Sequence, residues 1–69
     1  MRTFNEFILE MRELLDNPAT RFVDIAGTWQ EWGDDEAWLF GLTGFEYGIY
    51  MDIANLIFAH FGMPCAEVG

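Results

Sequence analysis

Apolar residues recur at helical spacing in two stretches of the chain. In the first, Phe4, Phe7, Ile8, Met11, Leu14 and Leu15 fall on one face, as a 3.6-residue period requires. Thr3-Phe4-Asn5-Glu6 has the spacing of a capping box, in which the Thr and Glu side chains satisfy free backbone N–H groups. Asn17-Pro18 ends the segment, because the residue before a proline avoids helical angles. The second stretch starts at Thr43, where Thr43-Gly44-Phe45-Glu46 repeats the capping-box spacing. Its stripe is Phe45, Ile49, Ile53, Leu56, Ile57 and His60, and Gly62 with Pro64 supplies a stop. Gly48 lies inside this helix at a cost of about 1 kcal/mol relative to alanine, a cost that close packing against a neighbour would offset. The segment is apolar nearly all round, which predicts the central, buried element.

The middle of the chain follows a different pattern. Residues 21–32 partly alternate, with Val23, Ile25 and Trp29 on one side and Asp24, Thr28 and Gln30 on the other. Their richness in Phe, Val, Ile, Thr and Trp favours a strand. Gly33-Asp34-Asp35-Glu36 then reads as a turn and Ala37–Leu42 as a returning strand. The expected fold is α+β, with two helices flanking a central β-hairpin in the order αββα. The rival is a small all-α bundle. There Asn17 caps a helix with Pro18 in its first turn, Phe22, Ile25, Trp29 and Trp32 form its face, and Asp34 caps a short helix through Leu42.

Length and composition sharpen this picture. The 69 residues make one domain, 1–69, and a chain this short buries only about 60% of the surface its unfolded form exposes. Seven Phe, three Trp and two Tyr compensate, since rings bury large areas with few rotors. The single cysteine, Cys65, has no partner for an internal disulfide and no companions for a metal site. A reducing, cytoplasmic setting in a host cell fits best. The N-terminus carries Glu6 and Glu10 and lacks the pattern of a secretory signal. No apolar run reaches the roughly 18 residues a membrane span needs.

Catalysis finds few groups to work with. Nucleophilic chemistry needs a nucleophile beside a base, and the chain has one histidine, one cysteine, no serine and no lysine. His60, at the end of the second helix, is placed to meet the negative end of the helix dipole. Asp34-Asp35-Glu36 offers hard oxygen ligands but not the alternating spacing of a calcium loop. The expectation is a binding protein with no enzyme activity, cofactor or metal.

Charge is the dominant chemical feature. Twelve acids stand against three arginines, a net charge of −9, where about 2 to 8 suffices to keep a small domain soluble. Such a surface repels nucleic acid and anionic membranes and suits a basic protein partner. Glu6, Glu10 and Glu13 lie four and three residues apart on one helix face, extended by Asp16. Glu31, Asp34, Asp35 and Glu36 form a second cluster at the expected hairpin tip, on another face, with Trp32 beside them as an exposed anchor. Trp29, Trp38, Phe40, Tyr47 and Tyr50 are expected in the core.

In length, acidity, absence of lysine and scarcity of catalytic groups, the chain resembles the small acidic inhibitors of phages and mobile elements. These are the anti-CRISPR and anti-restriction proteins, some of them DNA mimics. The resemblance is compositional and carries over no individual residue. It implies an inhibitor that occupies a basic nucleic-acid-binding surface of a host defence protein or complex. Two alternatives stand beside it. One is a small assembly protein that oligomerises, as a homodimer or with another subunit, through the apolar second helix. The other is an antitoxin-like neutraliser of a basic toxin.

Overall fold

A computed structural model describes residues 2–62. Four helices appear among them: α1 (Phe4–Asp16), α2 (Phe22–Gly33), α3 (Glu36–Phe40) and α4 (Gly44–His60). No strand occurs among the described residues, so the domain is all-helical and the expected β-hairpin is absent.

The two outer helices start where the capping residues place them. Thr3 Oγ1 accepts from the Glu6 N–H at 3.2 Å, and the Asn17 N–H closes α1 on the Leu14 carbonyl. At α4 both halves of the capping box form. Thr43 N–H donates to Glu46 Oε1 at 2.9 Å, and Glu46 N–H donates to Thr43 Oγ1 at 3.2 Å. Beyond α4, Gly62 takes a φ of 72°, the left-handed conformation that commonly ends a helix. Pro64 and Cys65 lie outside the described residues.

The hairpin fails for an identifiable reason. Aromatic and β-branched residues favour strands because they pack well on a half-buried surface, and a helix face supplies such a surface equally well. Helical spacing puts Ile25 and Trp32 in the core with Trp29 packed against it, while Val23 on the expected inward strand face is exposed. Local chemistry agrees. Asn17 Oδ1 accepts from the Ala19 N–H at 3.0 Å, making a turn around Pro18 rather than a cap. Arg21 occupies the N-cap of α2, and Asp24 Oδ2 accepts its backbone N–H at 3.0 Å. The expected hairpin turn is a helix–helix junction. Asp34 caps the C-terminus of α2, and Asp35 Oδ1 accepts from the Trp38 N–H at 3.2 Å to start α3.

Phe7, with no exposed surface, sits at the centre of the core. Trp38, Trp32 and Tyr50 surround it at ring-centroid distances of 5.3, 5.5 and 5.8 Å, and Phe4 covers it at 5.7 Å. Tilted and edge-on ring pairs of this kind add about 0.5–1.5 kcal/mol each beyond area burial. The central element is α2, which packs against α1, α3 and α4. The expectation that α4 would be central is corrected. Its apolar residues are spread round the axis, so one side buries Tyr50, Ala54 and Ile57 while Phe45 and Leu56 on the other stay 81% and 67% exposed.

Candidate partner-binding face

Glu10 of α1 and Glu31 of α2 come together where the two helices meet. Phe7 and Met11 are buried, which places Glu10 at the edge of the buried stripe of α1. Its Oε2 accepts from the Trp32 indole Nε1–H at 3.0 Å. Arg2, just ahead of α1, lies over the same indole at 4.4 Å from the ring centroid and reaches Glu31 of α2 at 3.7 Å. Arg2, Glu10, Trp32 and Glu31 thus tie the start of α1 to the end of α2. Glu10 and Glu31, expected on two separate faces, meet at one seam.

Other acids extend this seam. Glu6 and Glu13 stand one turn before and after Glu10 and are exposed. Asp34 and Glu36 are exposed at the α2–α3 junction, and Asp35 is half-buried between them. Asp16 is exposed at the far end of α1, about 15 Å along the axis from Glu6 at 1.5 Å per residue. Trp32 is corrected from an exposed anchor to a core residue, 3% exposed. Its ring is needed between Phe7 and Trp38, and only its N–H is turned to the acidic row.

The helix dipoles divide these acids into two groups. Glu6, Asp24, Glu36 and Glu46 lie in first turns, where a negative charge is favourable. Glu13 and Asp16 lie in the last turn of α1, and Glu31 and Asp34 at the end of α2. Neither helix has a basic residue in its last turn. Each misplaced exposed acid costs about 0.3–1 kcal/mol. Folding alone would place them elsewhere.

An open cleft of about 460 Å³ lies beside the seam, lined by Arg2, Phe4, Asp35, Trp38, Leu42 and Glu46 among others. Its carboxylates already accept backbone N–H groups, Asp35 from Trp38 and Glu46 from Thr43. The buried Trp38 indole N–H has no hydrogen-bond partner among the described residues. His60 lies elsewhere, in the last turn of α4, stacked on Phe22 at 3.7 Å. Among the described residues no three His, Cys, Asp or Glu side chains are grouped to hold a metal ion, and no helix is long and apolar enough to cross a membrane.

Sequence reasoning missed three features. Arg2, one of three arginines in the charge count, joins Glu31 to the Trp32 ring. Phe40, expected in the core, is 82% exposed, and with Phe45 it flanks the α3–α4 turn. Gly33, read as a turn residue, is pressed against Tyr50, whose hydroxyl occupies the space a Cβ would need. All three depend on how the helices cross, which no local spacing shows. No protein family, curated protein or solved structure is found to match the chain.

Proposed function

We propose that this protein is an acidic inhibitor that binds a basic, nucleic-acid-binding surface of a host defence protein or complex. Its carboxylates take the place of phosphates against Arg and Lys. The observation that carries this reading is the massing of exposed acids along the α1–α2 seam, four of them at helix ends where the dipole opposes them. Solubility alone would be served by acids in first turns, where they stabilise the helix. Complementary charge of this kind speeds encounter and selects basic partners, and it weakens as salt screens it.

The test is capture of partners from host lysate on the immobilised protein, washed at low and at high salt. The expected result is a nucleic-acid-binding protein that is retained at low salt, lost at high salt and displaced by added DNA or RNA. A partner held equally well at high salt, or none that nucleic acid displaces, contradicts the proposal.

A further inference from the structure

The opposite character is found where the C-terminal half of α1, the start of α2 and the second half of α4 meet. A groove of about 160 Å³ opens there, lined only by apolar side chains, among them Met11, Leu15, Phe22, Ile25, Ile53 and Leu56. Its size approximates that of cavities of about 150 Å³ that take up a benzene-sized group and stay free of water. Leu15 and Leu56, which border it, are each 67% exposed. One face therefore carries both an apolar hole and projecting apolar knobs. A two-fold pairing of identical surfaces needs that combination.

Charge identifies the occupant. The exposed charged residues next in sequence to the lining residues are Arg12, Asp16, Arg21, Asp24 and Asp52; Glu10, beside Met11, is turned to Trp32. Two of the three arginines thus stand beside lining residues in sequence, against three acids. The other described acids are Glu6, Glu10, Glu13, Glu31, Asp34, Asp35, Glu36 and Glu46, with Arg2 as their sole cation. A basic partner is drawn to that acidic side and finds mixed charge at the groove. A second copy joined groove to groove meets the same mixed charge, arginines as well as aspartates, rather than the acidic seam. Size argues the same way: domains below about 70–80 residues gain little from one core and commonly add disulfides, metals or oligomerisation, and one cysteine allows no internal disulfide.

We infer that the protein forms a two-fold homodimer through this groove, Leu15 and Leu56 of each copy packing into the apolar hole of the other. Apart from Asp16, this interface draws on none of the acids of the seam, and it responds oppositely to salt. Apolar contact survives screening while the repulsion between two −9 chains is reduced, so the dimer tightens as salt rises.

Sedimentation velocity over a concentration series, at low and high salt, tests this on the parent, Leu56→Lys and Leu15→Lys. The parent is expected to sediment at twice its 8.0 kDa mass, more completely at high salt. Each variant is expected to sediment as a monomer with an unchanged circular dichroism spectrum, although the added lysine lowers the net repulsion. A monomeric parent at every concentration overturns the inference, including one that takes up a basic protein in the groove. A dimer that persists in both variants overturns it as well. Neither result bears on salt-sensitive capture by the acidic seam.

Discussion

Individual side chains in this domain carry effects that their types alone do not announce. Gly48 and Gly33 make the point as a pair. Nothing lies within 4 Å of a Cβ built on Gly48, so the close packing expected there does not occur. Gly48→Ala should stabilise the fold by about 0.5–1 kcal/mol through helix propensity alone. Gly33→Ala should destabilise it, because Tyr50 must move. Urea midpoints of the two variants should therefore shift in opposite directions. Tyr50 itself has its phenol pushed up to about 12, chiefly by burial, then by Tyr47 and Asp34. Below the ordinary value of 10 the phenol is neutral in both folded and unfolded chains. Above that value the unfolded chain loses the proton first. Stability should fall as pH rises from about 10 to 12, with part of the slope removed in Tyr50→Phe. Urea denaturation across that range measures it; a flat profile would show that the phenol ionises freely in the fold.

At the scale of elements, helix termini decide both the architecture and the cleanest variants. Glu13→Lys and Asp34→Lys replace exposed acids at the C-terminal ends of α1 and α2 with the charge the dipole favours. Each should raise stability by about 0.3–1 kcal/mol, read as an increase in melting temperature. Glu10→Gln behaves differently, because Glu10 accepts the Trp32 indole N–H. Weakening that charged acceptor should lower stability by about 1 kcal/mol or more. Reversing whole acidic clusters would therefore confuse folding with binding, and charge reversal leaves the fold intact only at residues free of such bonds. The sequence made α1 and α4 legible, since Thr3, Asn17-Pro18, Thr43 and Gly62 are local signals. It left α2 and α3 ambiguous because Phe22, Ile25, Trp29 and Trp32 satisfy a helix face while their residue types also suit a strand. What resolves them is the fit of Trp32 between Phe7 and Trp38, a long-range contact that no local window contains. The same contact explains why the acids were identified but their convergence was not.

The whole molecule balances an aromatic core against its own charge. Phe7 packs against Phe4, Trp32, Trp38 and Tyr50, and Phe7→Ala should cost about 3–5 kcal/mol, much of the 5–15 kcal/mol that a small domain typically has. Loss of cooperative thermal unfolding would report this. Because like charge at −9 opposes compaction, the parent should melt at higher temperature as salt rises, even as its capture of a basic partner weakens. Those opposite responses separate what folds the chain from what it is proposed to bind. The most direct measurement is the low-salt lysate capture repeated with the Glu13→Lys/Asp34→Lys double variant beside the parent. The account predicts a variant that is more heat-stable than the parent and no longer retains the partner that nucleic acid displaces from it. A variant that retains that partner as well as the parent would contradict the assignment of the acidic seam as the binding surface.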